Sequence, residues 1–477
     1  MDRKPRNLIR RTLALAVLLT APGILSVGYT ADLLEVYQQA VSGDPQLAAA
    51  EARFRASGQE HPLALSALLP QIDAYASAES IDQRYNDVPD AKSALYRDDR
   101  FERTTYGVRL DQSVFNKDAR IRLEQAKTRT SQAEAEVRVA RQELLVRVAE
   151  AYFNVLTAQD NLSYARAERY AIERQLRETR ERLSIGMVAI TDVKEAEAQF
   201  DIAVAQEIDA LYQYTSVKQN LAVIIGHVPD RLNTLRNEIE LLPPEPNDVA
   251  TWVETALRES LTLQAVTQGL ELSRQEIERR RGGHYPTLDL KADHGIQDDS
   301  GGFSEGKKAD TTLALNLTIP LYDGGRTRAQ TSEAIELHQQ ATHNHELTRR
   351  DVTRQTRAAY LNVLSAIARV QALRKALTST QIAADAANTG YQIGTRTSLD
   401  VVIALRETYR AQRDFAKARY DYLLSSLRLK QAAGVLTPDE LTRVNALLDN
   451  DQGAVSYALD PRDGVPAPKA RAGESVR

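Results

Sequence analysis

The run Gly390-Tyr-Gln-Ile-Gly-Thr-Arg-Thr-Ser-Leu-Asp-Val-Val-Ile403 reads as a tight turn between two long helical segments. It occurs twice. Leu183-Ser-Ile-Gly-Met-Val-Ala-Ile-Thr-Asp-Val193 matches it at one constant offset, pairing Gly186 with Gly394, Asp192 with Asp400 and Val193 with Val401. Each copy predicts the tip of a helical hairpin.

The segments that flank the tips are free of helix breakers. No Gly or Pro falls between Gly107 and Gly186, between Gly186 and Gly226, from Arg326 to Thr389, or from Thr395 to Ala433. A helix from about Asp118 to Ser184 would be on the order of 100 Å long at ~1.5 Å per residue. Along it Leu144, Val148, Ala151, Val155, Ala158, Leu162 and Ala165 alternate in steps of four and three, the period of a coiled-coil seam. The second half repeats the register at Val352, Thr356, Ala359, Val363, Ala366, Val370 and Leu373.

Ahead of each long helix the period changes to two. Ile72, Ala74, Ala76 and Ala78 alternate with polar residues, as do Val108, Leu110 and Val114, then Leu288, Leu290 and Ala292, and finally Leu313, Leu315, Leu317 and Ile319. Strands are predicted at about 68–85, 101–116, 286–297 and 310–322. One apolar face and one polar face over roughly ten residues suit a membrane barrel with lipid outside and water inside, and equally two half-buried soluble hairpins. Tyr106, Phe115, Tyr285 and Tyr322 stand where an interfacial aromatic girdle would lie. Four strands cannot close a membrane barrel, because about eight is the smallest known, so several copies must share one. Side chains fill an eight-stranded lumen, and a conducting pore therefore favours three or more copies.

The chain is a duplication. Leu33–Leu47 aligns with Val249–Leu263, Ala151-Tyr-Phe-Asn-Val-Leu156 recurs as Ala359-Tyr-Leu-Asn-Val-Leu364, and Gly226 recurs as Gly434. So long a period marks two copies of a domain-sized unit rather than a solenoid. The predicted division is a leader at 1–31, a first repeat at 32–242 with its tip near 184–192, a second at 243–448 with its tip near 390–400, and a disordered tail at 449–477. Pro243, Pro244 and Pro246 mark the junction.

Of the 477 residues 26% are charged and 43% hydrophobic, too polar for a bundle of membrane helices. The front is different. Arg3, Lys4, Arg6, Arg10 and Arg11 precede an apolar run from Leu13 to Leu19, which reads as a secretory leader cut near Ala31. A retained anchor is the other reading, opposed by Pro22 and Gly23. Cleavage would take the net charge from −4 to about −8, no footprint for nucleic acid. The absence of cysteine excludes disulfides, thiolate chemistry and a lipid-bearing N-terminal cysteine.

Leu33-Leu-Glu-Val-Tyr-Gln-Gln-Ala40, Leu68-Leu-Pro-Gln71, Ala151–Leu156, Val188-Ala-Ile-Thr-Asp-Val193, His284-Tyr-Pro-Thr-Leu-Asp289 and Gly390–Thr397 together resemble the TolC family of outer-membrane exit ducts. The resemblance covers nearly the whole chain past the leader. It implies a homotrimer in which a twelve-stranded barrel in the outer membrane continues into a twelve-helix periplasmic tunnel, girdled by a mixed α/β belt. It further implies a periplasmic adaptor docking at the tips around Gly186 and Gly394, and an inner-membrane pump of the ABC or resistance-nodulation-division class. Efflux, type I protein secretion, or both would follow.

Carried over by the same resemblance, the tunnel is shut at rest by a polar network of Thr191 and Asp192 on one hairpin with Tyr391 and Arg396 on the other, Gln175 lying on a matching helix position. Asp400 matches the acid of the narrowest ring, where three carboxylates would favour cations. The next helical turn departs from the family: Ile403 stands where a second acid is expected, and Asn388 replaces another. Ordinary solvated tip charges are the alternative.

No enzyme is legible. His343 and His345 point to different sides of a helix, Gly282-Gly283 and Gly324-Gly325 sit at helix–strand junctions, and Arg279-Arg-Arg281 reads as a charged helix end. No catalytic residue, metal site or cofactor is expected. Two other classes stay open: a periplasmic adaptor, which should carry one hairpin between soluble β modules, and a coiled-coil surface adhesin, which predicts neither paired tips nor a pore.

Overall fold

The computed structural model describes residues 30–84, 99–236, 238–302 and 305–449, with one pair of short strands at 458–459 and 466–467. The expected leader, apart from its last two residues, and nearly all of the expected tail lie outside the described residues.

After a two-residue strand at Thr30–Ala31 come three helices, α1 (Leu33–Gly43), α2 (Pro45–Gly58) and α3 (Glu60–Ser66). Asp32 caps α1 through a reciprocal box with Glu35, and Asp44 caps α2 ahead of its Pro45 start. Strands β1 (Gln71–Gln83) and β2 (Asp99–Phe115) follow, then α4 (Lys117–Ser184, 68 residues) and α5 (Ile190–Ile225). The second half gives α6 (Val249–Glu259), α7 (Leu261–Arg281), β3 (Thr287–Asp299), β4 (Gly306–Thr318), α8 (Arg326–Gln392, 67 residues) and α9 (Ser398–Ala432), closed by α10 (Pro438–Asn445).

The four strands form one antiparallel sheet in chain order, so the two repeats meet where β2 pairs with β3. The register settles which face is which. Ile72, Leu110, Ala292 and Leu313 stand in one row across all four strands, and Asp73, Arg109, Asp293 and Thr312 form the next row on the opposite face. The apolar face has no protein cover: Leu313 is 73% exposed, Ile72 66% and Leu315 63%. On the polar face Tyr75 donates to Asp293 at 3.0 Å, Arg109 reaches the same carboxylate at 3.3 Å, and Arg103 pairs with Asp299 at 2.8 Å. Strand β4 runs four residues earlier than its sequence range. Its last partner is Thr287, directly after Pro286, and its first is Asp299, which leaves nothing for 319–322 to pair with.

No helix among the described residues is long and apolar enough to cross a membrane. The helical half is built around α4, packed between α5 and α9, while α8 packs on α9 and α7. The two heptad seams are buried alike at Leu144, Val148, Val155 and Leu162 and at Val352, Thr356, Val363 and Val370, and they differ at Ala366 and Leu373, half-buried on the edge helix where Ala158 and Ala165 are buried. The principal core lies away from the tips and joins Leu33, Tyr152, Phe153, Leu221, Trp252, Leu427 and Leu441.

Candidate functional site

Both hairpins end in the same backbone motif. At the first, Gly186 N–H donates to the Leu183 carbonyl (2.9 Å) and Met187 N–H to the Arg182 carbonyl (2.9 Å). At the second, Gly394 N–H donates to Tyr391 (3.2 Å) and Thr395 N–H to Gly390 (2.8 Å). This is the Schellman arrangement, and its left-handed position is held by Gly186 (φ 75) and Gly394 (φ 81). Exposed aliphatic residues crown the tips: Ile185, Met187 and Ile190 on one, Ile393 on the other.

Each tip then restarts a helix with an aspartate at its third position. Asp400 accepts from the backbone N–H and hydroxyl of Thr397, both at 2.9 Å, and Thr397 Oγ1 accepts from Asp400 N–H at 3.2 Å. These bonds, foremost the backbone one, with the guanidinium of Arg396 behind them, hold the Asp400 carboxyl below the usual range. Asp192 accepts more weakly from Ala189 N–H, at 3.4 Å.

The expected gate residues divide into three groups. Gln175 and Tyr391 are both buried and are brought together through two residues that the sequence had not marked, Thr179 and Ser398. Gln175 donates to Ser398 at 3.4 Å, Thr179 and Ser398 share a hydrogen bond at 2.8 Å, and Thr179 lies 3.4 Å from the Tyr391 hydroxyl. Arg182 completes the cluster, its guanidinium 4.1 Å from the Tyr391 ring centre and donating to the Tyr391 carbonyl at 3.2 Å. Arg396 forms the second group with Asp400, at 3.9 Å, and its stem lies where a Cβ on Gly390 would fall, 2.7 Å away. Thr191 and Asp192 are the third: Thr191 is exposed on the first turn of α5, and Asp192 serves its own helix start. Within one chain, then, Arg396 meets Asp400 and not Asp192. The reason is local, since residues four apart on the tip reach each other while the Asp192 carboxylate faces its own helix terminus.

Ile403 is half-exposed one turn beyond Asp400, and Asn388 is exposed near the end of α8. Among the described residues no group of His, Cys, Asp and Glu could hold a metal ion.

The sequence model described as outer membrane efflux protein matches residues 36–227 and 252–435, one segment in each half of the chain. The chain belongs to the outer membrane efflux protein family. It is 32% identical to outer membrane protein TolC of Vibrio cholerae over 442 residues, covering 92% of this chain and 98% of that one. It is 28% identical to the alkaline protease secretion protein AprF of Pseudomonas aeruginosa, covering 87% and 86%. Its fold matches the Campylobacter jejuni CmeC outer membrane channel with a TM-score of 0.74 at 17% identity, over 88% of this chain and 90% of that one.

The protein is therefore an outer-membrane channel with a large periplasmic part, and its fold is that of the trimeric efflux ducts. A helical barrel continues into a β-barrel to which each chain gives four strands, which accounts for the uncovered apolar sheet face and the two unpaired sheet edges. The adaptor alternative calls for one hairpin between soluble β modules and does not fit two hairpins joined to one four-stranded sheet.

Proposed function

We propose that the channel is a passive exit duct, without enzymatic activity, whose periplasmic end is held shut by the polar contacts between α4 and the tip of α8–α9. The observation that carries the reading is the buried cluster Gln175–Thr179–Ser398–Tyr391, because it ties the first hairpin to the second at the level of the tips. A neutral hydrogen bond contributes only about 1 kcal/mol net, so a few of them hold a closed state that docking can release. Thr191 and Arg396 are exposed and Asp192 is half-buried at the same tips, where a neighbouring copy would meet them.

In the same reading three copies of Asp400 ring the axis near the tips and favour cations. A periplasmic adaptor docks on the exposed aliphatic tips around Gly186 and Gly394, and an inner-membrane pump of the ABC or resistance-nodulation-division class supplies the substrate. Relatives named for efflux, BepC of Brucella suis, and for protease secretion, AprF, support both kinds of cargo.

Single-channel conductance of the purified protein in planar bilayers tests the proposal. Wild type should give small cation-selective steps, Arg396→Ser should enlarge them, and Asp400→Ala should weaken the selectivity. Wild type already wide open would remove the gate from the reading.

A further inference from the structure

The seam between α4 and α9 is antiparallel and carries a polar contact at nearly every level. From the belt to the tip, Gln142 donates to the Gly434 and Leu436 carbonyls, Glu150 pairs with Arg428, Asp160 accepts from Tyr420, Glu168 meets Arg413 and Arg406, and Gln175 and Thr179 meet Ser398. The contacts change in kind along the way. Tip-ward of Glu168 the α4–α9 contacts are neutral hydroxyl and amide bonds, and Arg182 of α4 adds a bond to the Tyr391 carbonyl of α8. At Glu168 they are ionic, and the acid is 2% exposed, with Arg413 at 2.7 Å on one oxygen and Arg406 at 3.7 Å on the other.

The apolar core changes at the same level. The buried members of the principal cluster reach Leu156 on α4, Ala418 on α9 and Leu221 on α5, with Phe415, Val217 and Tyr214 half-buried against it. A separate small cluster begins with Ile172, Val402 and Ala203 on the same three helices. Between the two, beside the buried Ala158, Leu162 and Ala165 of α4 and Ala411 and Ala416 of α9, each helix contributes buried or half-buried charge: Arg166, Glu168 and Arg169 from α4, Glu207 from α5, Arg406 and Arg413 from α9. Glu207 accepts from Arg166 at 3.0 Å and from Arg169 at 2.6 Å, and Arg406 also donates to Gln199 of α5 at 2.8 Å.

We propose that Glu168 is a positioning residue for the gate: the fulcrum at which separation of the two hairpins stops. For the tips to part, α9 must swing off α4, and the swing propagates only as far as the contacts yield. Neutral bonds exchange readily for bonds to water. Parting Glu168 from its arginines strands a buried carboxylate. The charged layer thus divides a tip segment that moves from a belt-side segment that does not.

This inference rests on the gate reading, and the test separates the two. Conductance is measured for the full-length channel in wild type, in the opened variant Tyr391→Phe with Arg396→Ser, and in the opened variant carrying Glu168→Gln. Gln keeps the volume, and Arg406 and Arg413, at 37% and 27% exposure, can turn to water. The triple variant should exceed the opened variant at least about twofold, with the heat resistance of the trimer unchanged. Equal conductance in the two would overturn the fulcrum. An opened variant no larger than wild type would sink the gate instead. The fulcrum is then judged alone by spin-label distances: the chain lacks cysteine, so labels at Arg177→Cys and Ile403→Cys are unambiguous. Glu168→Gln should broaden that distance distribution, and an unchanged distribution would refute the role.

Discussion

Thr179 on α4 and Ser398 on α9 place their hydroxyl oxygens 2.8 Å apart across 219 residues of chain. Both side chains are buried, and both also touch a residue that sequence comparison would assign to the gate, Tyr391 in one case and Gln175 in the other. In the proposed gate the tip is thus held from inside each chain.

Ser398→Ala should therefore loosen the tip. It removes two buried bonds, to Thr179 and to the Gln175 amide, a loss of about 1 kcal/mol or more and a shift of at least roughly fivefold in the ratio of open to closed channels. The open probability in bilayer recordings reads this directly.

Two glycines in one tip should fail differently. Gly394 has φ 81 with open space at its Cβ, so Gly394→Ala strains the backbone alone, by roughly 1–2 kcal/mol, and should expose the tip to limited proteolysis. Gly390 is helical, but a Cβ there would stand 2.7 Å from the Arg396 Cγ. Gly390→Ala should displace Arg396 and enlarge the conductance while the tip resists protease.

Cation selectivity should persist into acid. Asp400 is held below the ordinary carboxylate range, so its charge, and the capping that depends on it, are present above the normal aspartate value and vanish only as pH falls through the lower native one. Reversal potentials measured from pH 7 downward should keep their sign past pH ~4. Loss of selectivity near pH 5 would place another acid in control.

Asp160 should behave in the opposite sense. Burial pushes its carboxyl up, against the Tyr420 hydroxyl at 2.8 Å and the charge of Arg419 that pull it down. With the native value raised, stability is fully present below the unfolded value and declines as pH rises through the native one. Asp160→Asn, which can still accept from Tyr420, should raise the melting temperature at pH 7 and lose that advantage near pH 4. Tyr420→Phe should cost about 1–3 kcal/mol, because the buried carboxylate loses its donor.

The sequence made the frame legible because the frame is periodic. Freedom from Gly and Pro, with the end of the period-two pattern near 116, placed α4 from about Asp118, against an observed start at Lys117, and period-two alternation assigned the lipid-side row Ile72, Leu110, Ala292 and Leu313. The strand ends were less legible: β4 stops at Thr318 because its partner begins at Thr287, a fact about pairing and not about local pattern. The tips were found by repetition, yet the roles inside them were not. Thr397-Ser-Leu-Asp400 is itself a readable capping pattern that gives Asp400 a structural task, whereas Arg182, Thr179 and Ser398 carry no local signal. Their meeting depends on how α4 crosses α9, which no stretch of sequence encodes alone.

The most direct test of the central claim is a staple across that crossing. Thr179→Cys with Ser398→Cys, placed in the opened Tyr391→Phe, Arg396→Ser background of a chain with no other cysteine, puts two thiols where two hydroxyls already touch. Oxidation should return the conductance to the small wild-type steps, and reduction should restore the large ones. A stapled channel that conducts as well as the reduced one would show that the tip opens without parting α4 from α9.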